Sequence, residues 1–280
     1  EWCQDWYDAY SEEAQTNPAG PSSGTERVTR GGSFENTSDG CRTAKRDMRE
    51  PDKTPYMCGF RIVQSSAVFE GEIPPEGELE GELPVEGEFE GEGEIPVEGE
   101  MEGEGEGEIP VEIPEVVSVP AGSFDMGRPY AWSVIWPTEG EPEQTDELPV
   151  HAVSLDTYEI GKYEVTNQQY CDVLNWALAQ GYLSDWAGDP WPGIGAIYAG
   201  CGEPYILVDL DRTECNIQYI DGVFYPRTRL GLPEITSYSM GDHPMLAVSW
   251  YGSVGYCNWL SEIEGLTPCY DLGTVNWDLT

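Results

Sequence analysis

The sequence predicts an α+β protein in which two folded segments flank a long acidic linker. Two stretches begin with a residue that can cap a helix and then carry apolar residues at helical spacing. Several shorter stretches alternate polar and apolar residues, which is typical of strands. Between the two folded segments, residues 67–115 are built mainly from Glu, Gly and Pro and show neither pattern. Helices and strands are therefore expected in residues 1–66 and 116–280.

The charge of the chain is high and unevenly distributed. In 280 residues, 53 Asp and Glu against 13 Lys and Arg give a formal net charge of −40, and nineteen Glu with no basic residue fall within 67–115. A chain this acidic is not expected to bind nucleic acid. A hydrophobic content of 39% still allows a sizeable core. No apolar run reaches the roughly 18 to 20 residues that cross a bilayer, so no membrane span is expected.

The linker, residues 67–115, repeats Glu-Gly-Glu units separated by Ile-Pro, Leu-Pro and Val-Glu. Gly adds backbone entropy, Pro removes hydrogen-bond donors and closely spaced glutamates repel one another, so neither a helix nor a ladder is expected. We interpret this low-complexity stretch as a disordered tether. A flexible coil of this length has an end-to-end distance of roughly 40 Å, which is enough to span a domain.

Two stretches of the first segment, Arg27–Arg30 and Gly59–Val63, have strand character. Eight of the thirteen Lys and Arg residues of the chain also lie in residues 1–66. We expect this basic cluster to be neutralised by the acidic second segment, because that pairing needs no outside ligand.

In the second segment, Val116–Met126 and Val150–Ile160 are predicted as strands. The next element is a predicted helix that begins with a capping box at Thr166 and ends before Gly181. Its apolar side chains fall on one helical face: Tyr170, Val173, Leu174 and Ala177.

Two further elements follow. Asp221-Gly222 lies between two apolar stretches and predicts a hairpin with a type I′ turn. Ser249 can cap a second helix that is ended by Gly265 and Pro268. The apolar stripe of this helix is Trp250, Val254, Cys257 and Leu260.

The eight cysteines include no Cys-x-x-Cys pair, which argues against a zinc ribbon or a thioredoxin-type dithiol. Some of them could form disulfides, but the connectivity cannot be deduced from the sequence. The two histidines, His151 and His243, lie far apart and form no cluster, which argues against a facial-triad iron site.

Several short motifs in both folded segments occur together in one known family. In the second segment they are Val119–Gly127, Glu147–His151, Tyr163–Asn167, His243–Met245 and Val248–Tyr251, and in the first segment Glu1–Tyr7, Arg30–Phe34, Cys41–Arg42 and Gly59–Arg61. Together they resemble the formylglycine-generating enzyme, or sulfatase-modifying factor, family. The resemblance implies an irregular variant of the C-type lectin fold.

The order of these motifs is inverted relative to the family, because residues 1–66 resemble its C-terminal part and residues 116–280 its N-terminal part. We interpret the chain as part of a multidomain protein that begins inside one family domain and stops inside the next. The fold is then incomplete and in permuted segment order. We expect the two segments to pack on each other, with Gly59–Val63 docking near Val116–Met126.

The resemblance implies a redox site made of two cysteines five positions apart, which bind copper and engage a substrate cysteine. Cys41 matches the first position and is assigned as the catalytic thiol. The second position falls on Arg46, which cannot bind soft copper(I) as a thiolate would and is assigned to substrate binding. Nearby Arg42 and Lys45 would favour a reactive thiolate at Cys41. A structural Cys41 is nevertheless the favoured interpretation, and the reactive thiolate is the alternative.

Glu1 resembles the calcium-binding carboxylate of the family's Glu-Trp motif. A calcium ion takes roughly six to eight oxygen ligands, so Glu1 alone would leave the site incomplete. The resemblance therefore implies copper or calcium in intact family domains, and it makes no cofactor certain for this chain.

Two classes of function remain open, and Arg46 in place of the second redox cysteine favours the first. The first is a non-catalytic binding or display module that recognises a peptide or glycan through its loops. The second is copper- and oxygen-dependent oxidation of a substrate-peptide cysteine to formylglycine, as in sulfatase activation. A second cysteine beside Cys41 would favour the enzyme, and a buried or disulfide-bonded Cys41 would favour the binding module. The repetitive acidic linker suits extracellular display, so a secreted or cell-envelope location is expected.

Overall fold

The computed structural model describes residues 1–38, 40–65, 111–128, 147–199, 204–231, 237–273 and 277. Glu1–Ser66 and Ile109–Thr280 cluster as one compact unit. Residues 67–110 of the predicted linker lie outside the described residues, whereas 111–115 are described and have no regular secondary structure.

Strands and two helices make up the described part of the chain, as an α+β fold requires. The strands are β1 Trp2–Trp6, β2 Gln15–Thr16, β3 Arg27–Arg30, β4 Arg46–Arg49, β5 Val63–Ser65, β6 Val116–Val119, β7 Gly122–Met126, β8 His151–Leu155, β9 Tyr158–Gly161, β10 Ala196–Ala199, β11 Tyr205–Asp209, β12 Ile217–Ile220, β13 Val223–Pro226, β14 Thr228–Leu230 and β15 Ser237–Ser239. The helices are α1 Asn167–Ala179 and α2 Trp250–Ile263. The α+β class predicted from the sequence is confirmed.

The strands form several small sheets rather than one large one. Three sheets have three strands each, in the orders β1-β3-β4, β2-β8-β7 and β5-β9-β6, and three are two-stranded: β10-β11, β12-β13 and β14-β15. The pairing of β2 with β8 is parallel, through Gln15 opposite Val153. The pairing of β5 with β9 is antiparallel, through Val63 opposite Ile160. Both of these pairings join a strand of residues 1–66 to a strand of the second segment.

Helix α1 begins with the capping box that the sequence predicts. The Thr166 hydroxyl accepts from the Gln169 amide at 3.2 Å, and the Gln169 side chain accepts from the Thr166 amide at 3.0 Å. The helix ends at Ala179, and Gly181 follows with φ +76°. The four residues predicted on its apolar face, Tyr170, Val173, Leu174 and Ala177, are all buried.

Helix α2 is also confirmed, although its buried surface is wider than predicted. The Ser249 hydroxyl caps it by accepting from the Gly252 amide at 2.9 Å, and Gly265 follows its end with φ +71°. Trp250, Val254 and Leu260 are buried as predicted, and Cys257 is half-buried. Tyr256 and Trp259 are buried as well, because the helix is enclosed on several sides and a fully enclosed helix needs no polar face.

The hairpin β12-β13 has the predicted turn. Asp221 and Gly222 adopt φ +51° and +91°, which is the double left-handed conformation of a type I′ turn. Ile220 pairs with Val223 directly across this turn.

Two strands predicted as continuous are each divided in two. Val116–Met126 forms β6 and β7, which lie in different sheets, because Pro120 cannot donate to a ladder. Val150–Ile160 forms β8 and β9. The break falls at Asp156, whose amide donates to the Asn17 side chain at 2.9 Å while its carboxylate accepts from the same side chain at 2.7 Å.

The strand predicted over Gly59–Val63 is wrong for its first four residues, since β5 begins at Val63. A side chain at position 59 would meet the Met245 carbonyl at 2.7 Å, so the backbone is held too close to its neighbour for a regular ladder. Instead, the Gly59 carbonyl accepts from the Trp2 amide and the Phe60 carbonyl from Val165. Strand β9 lies between β5 and β6.

Aromatic side chains dominate the core. Tyr170 of α1 stacks on Tyr256 of α2 with ring centroids 5.6 Å apart, and Phe60 packs edge-on against both rings. Trp2 donates its indole N–H to the Val248 carbonyl at 3.0 Å. Neither helix is long and apolar enough to cross a membrane, within the ranges that the structure describes.

Candidate functional site

The loop that carries Cys41 connects β3 to β4, and we call residues 31–38 and 40–45 the Cys41 loop. It is a series of tight turns: the amides of Asn36, Gly40 and Lys45 donate to carbonyls three residues earlier at 2.9 to 3.1 Å. Gly32 adopts φ +69°, and a side chain there would meet the Gly40 carbonyl at 2.7 Å and the Cys41 sulfur at 2.9 Å. Glycine at this position therefore lets the two sides of the loop close on each other.

Cys41 is solvent-exposed and is not in a disulfide. Its Sγ lies 3.9 Å from the Ser33 carbonyl oxygen, a weak contact within the loop. The other described cysteines are likewise not in disulfides: Cys3, Cys58, Cys171, Cys215, Cys257 and Cys269. A buried or disulfide-bonded Cys41 was the feature that would favour the binding module, and the structure does not show it.

A shallow cleft of about 60 Å³ lies against the Cys41 loop. This volume accommodates a small polar group and would not enclose a whole ligand. Three basic side chains and two acidic ones contribute to the cleft, which gives it an excess of positive charge. Its lining residues are Glu1, Thr29, Arg30, Gly32, Ser33, Asn36, Gly40, Lys45, Asp47, Arg49, Met57 and Cys58.

Arg46, the residue assigned to substrate binding, is 4% exposed and is not part of the cleft lining. Its guanidinium carbon lies 4.2 Å from the ring centroid of Tyr10 and 4.7 Å from that of Tyr7. Nη2 donates to the Asp8 carbonyl at 2.9 Å. These contacts are typical of a cation–π pair that holds residues 7–10 on β4.

A second buried arginine was not singled out from the sequence. The Arg27 guanidinium lies between two indole rings, 3.4 Å from the centroid of Trp6 and 3.7 Å from that of Trp250. Burial raises the pKa of nearby Asp5, although Arg30, Arg46 and Arg27 act to lower it. Two members of the basic cluster, Arg27 and Arg46, are therefore internal to the fold.

Next to Cys41, Arg42 forms an ion pair with Glu147. Arg42 Nη2 donates to Glu147 Oε1 at 2.5 Å, and the Glu147 side chain is completely buried. Glu147 Oε2 has no hydrogen-bond partner among the described residues. The pair ties the Cys41 loop to the residues that precede β8.

Glu1 is held by another ion pair. Its carboxylate accepts from Arg61 Nε and Nη2 at 3.1 and 3.0 Å, and its ammonium donates to the Arg30 carbonyl at 2.7 Å. Across the described ranges, no group of three or more His, Cys, Asp or Glu side chains could hold a metal ion.

A comparison with known protein families identifies the family of this chain. The family model described as sulfatase-modifying factor enzyme 1-like domain, or FGE-sulfatase, matches residues 1–66 and 105–279. The chain belongs to the FGE-sulfatase family. The matched residues lie in the same two segments as the motifs, and the match omits most of the linker.

Individual relatives of this FGE-sulfatase chain are formylglycine-generating enzymes and a kinase. The enzyme of Mus musculus is 38% identical over 161 residues, which cover 56% of this chain and 38% of the relative. The enzyme of Bos taurus is 26% identical over 153 residues, which cover 53% of this chain and 36% of the relative. Serine/threonine-protein kinase pkn1 of Chlamydia pneumoniae is 41% identical over 69 residues, covering 23% of this chain and 11% of the kinase. No solved structure matches the chain.

These matches span less than two fifths of each curated relative. The described FGE-sulfatase residues also fit the family's metals poorly. Copper(I) prefers soft ligands, whereas the Cys41 sulfur lies 3.9 Å from the Ser33 carbonyl oxygen, which is a hard ligand. Calcium needs several oxygen ligands, whereas Glu1 is engaged by Arg61.

Sequence reasoning missed Asn36 as a candidate for the second redox position. Asn36 precedes Cys41 by five positions, whereas Arg46 follows it by five. Asn36 lies in the Cys41 loop and lines the cleft, and its Oδ1 accepts from the Ser33 hydroxyl at 3.1 Å. The Arg30–Phe34 motif just before it was the available signal, because Gly31 and Gly32 both adopt positive φ and Gly32 lies against Cys41. Neither candidate position, 36 or 46, is a cysteine.

Proposed function

We propose that this chain is a binding module of the FGE-sulfatase family that does not generate formylglycine. The observation that carries the proposal is the environment of Arg46, which is buried over Tyr7 and Tyr10 at the position where the family resemblance implies the second redox cysteine. Oxidation by a pair of protein thiols needs a second thiol beside Cys41. The alternative position, Asn36, also lacks one.

The ligand class that suits this module is an extended peptide or glycan. The cleft beside the Cys41 loop is open and small, so it would receive one polar group of a longer ligand rather than a whole molecule. Arg30, Lys45 and Arg49 give the cleft a positive excess that favours a carboxylate or another acidic group. Arg46 would act indirectly, by holding residues 7–10 in place.

We also propose that residues 1–66 and 116–280 form one incomplete, permuted domain with a C-type-lectin-like fold. Support comes from the pairing of β2 with β8 and of β5 with β9. The contacts of Phe60 with Tyr170 and Tyr256 add a shared core. In this arrangement the Cys41 loop is held from the other segment by Glu147.

The experiment for the binding function is an array of peptides and glycans probed with the fluorescently labelled chain. We expect retention on acidic ligands by the wild type and its loss in Lys45→Glu, which reverses one charge of the cleft. Lys53→Glu is the matched control, because Lys53 is exposed and lies outside the cleft lining. No retention, or equal loss in both variants, would overturn the assignment of the cleft.

A second candidate function is the oxidation of a substrate-peptide cysteine to formylglycine. It is favoured by the exposure of Cys41 in a loop that also contains Arg42 and Lys45. The mark of this activity is an aldehyde on the substrate peptide that depends on Cys41.

The proposed location is secreted or in the cell envelope, since an acidic tether between modules suits display outside the cell. Fractionation of the source cells with an antibody to the chain tests it, and recovery in the cytosolic fraction would contradict it.

A further inference from the structure

We propose that Cys257 and Cys269 are a pair of thiols that joins into an intrachain disulfide under oxidising conditions and fastens the chain after α2 to that helix. Neither residue is in a disulfide in the structure. The inference is independent of whether Cys41 is catalytic.

The first support is a hydrogen-bonded clamp beside both cysteines. The Asn258 side chain donates from Nδ2 to the Tyr270 carbonyl at 2.7 Å and accepts at Oδ1 from the Tyr270 amide at 3.1 Å. Asn258 directly follows Cys257, and Tyr270 directly follows Cys269. The clamp therefore brings the backbones of the two cysteines into the same neighbourhood, even though 11 residues separate them in sequence.

The second support is electrostatic proximity of the side chains. Burial, and then the nearby Cys269 thiol, raise the pKa of Cys257 to about 12. Both thiols also act on the same neighbour, since after burial Cys257 and Cys269 raise the pKa of Tyr270. The two thiols thus lie near the same tyrosine. A disulfide requires Cα atoms about 4.4 to 6.8 Å apart, so the proposal requires the clamped backbones of the two cysteines to come within that range.

The solvent exposure of the two thiols determines which of them reacts first with an oxidant. Cys269 is exposed and Cys257 half-buried, whereas Cys171 and Cys215 are completely buried. With glutathione disulfide as oxidant, the Cys269 thiolate attacks one glutathione sulfur, and a mixed disulfide forms as the first glutathione thiolate leaves. The Cys257 thiolate then attacks the Cys269 sulfur and releases the second glutathione. The protein loses two electrons and two protons, and glutathione disulfide becomes two glutathione molecules.

The crosslink would stabilise the end of α2, which carries core residues such as Trp259. Closing a loop of this length restrains the unfolded chain, so the oxidised protein should melt at least about 5 °C higher than the reduced one.

The test is to incubate the full chain with reduced or oxidised glutathione, alkylate the remaining thiols and digest with a glutamyl endopeptidase. Cleavage after Glu262 and Glu264 puts the two cysteines in separate peptides. Mass spectrometry should then find the Cys257 and Cys269 peptides joined in the oxidised sample and separate in the reduced one. Cys41→Ser should retain the crosslink and the rise in melting temperature, whereas Cys269→Ser should lose both.

Three outcomes would overturn the proposal. These are two alkylated peptides after oxidation, a stable mixed disulfide of Cys269 with glutathione, and a crosslink from Cys269 to another cysteine or to a second molecule. The assay reads the thiols directly, so it does not depend on ligand binding or on formylglycine formation.

Discussion

Arg42 and Glu147 form an ion pair at 2.5 Å that spans 105 positions of the sequence, and the carboxylate is completely buried while the guanidinium is partly exposed. Arg42 directly follows Cys41, so this contact fixes one end of the Cys41 loop to the residues before β8. A buried ion pair need not stabilise a fold relative to apolar packing, but removing one member costs free energy because the other loses a charge partner.

Glu147→Gln should therefore lower the free energy of unfolding by about 2 kcal/mol, somewhat less than for a fully buried pair because Arg42 reaches solvent. Urea denaturation measures the loss. The matched control is Glu115→Gln, which breaks the exposed pair with Lys162 and should cost at most about 1 kcal/mol. Equal losses in the two variants would contradict a special role for the Arg42 contact.

The position of Asn36 can be tested with engineered thiols. Asn36→Cys should form a disulfide with Cys41 when treated with glutathione disulfide, because both residues lie in the same tightly turned loop. Arg46→Cys should not, because that side chain is directed against Tyr7 and Tyr10. Peptide mapping of both variants distinguishes the two, and a crosslink from position 46 with none from position 36 would reverse our assignment of the loop.

Asp5 supplies a prediction about pH. Burial is the main cause that raises its pKa in the folded state, so folding favours the protonated carboxyl and the ionised form destabilises the protein at neutral pH. Asp5→Asn should then be at least as stable as the wild type at pH 7. The difference should shrink as the pH falls through the raised pKa toward the ordinary value of 3.8. A variant that is clearly less stable at pH 7 would show that the surrounding arginines outweigh burial.

Phe60 tests the core shared by the two segments. Phe60→Ala removes the ring that packs against Tyr170 and Tyr256 and should cost about 3 to 5 kcal/mol of unfolding free energy. Phe34→Ala is the control, because Phe34 is 76% exposed and its loss should change stability by about 0.5 kcal/mol or less. A small effect at Phe60 would mean that its segment contributes little to the core.

Local signals explain which parts of the fold could be predicted from the sequence. The capping box at Thr166, the cap at Ser249 and the Asp221-Gly222 turn act within a few residues, and all three elements form as predicted. The breaks in the predicted strands depend partly on distant contacts, such as Asn17 with Asp156 and the Met245 carbonyl with Gly59. No periodicity within the strand could reveal those contacts.

The candidate site was predicted less completely, for a similar reason. The motifs located the Cys41 loop, but the direction of the Arg46 side chain depends on Tyr7 and Tyr10, which lie over thirty residues earlier in the sequence. The partner of Arg42 lies 105 positions away, across the linker. Spacing alone could not distinguish an arginine that faces a ligand from one that is buried against aromatic rings.

The most direct measurement of the central proposal is mass spectrometry of a cysteine-containing sulfatase peptide after incubation with the full chain, copper and a reductant under air. The formylglycine-generating enzyme of Mus musculus, one of the relatives by sequence, serves as the positive control. The proposal of a non-catalytic binding module predicts no aldehyde product above the enzyme-free reaction. An aldehyde that forms with the wild-type chain and disappears in Cys41→Ala would contradict it and establish the oxidase instead.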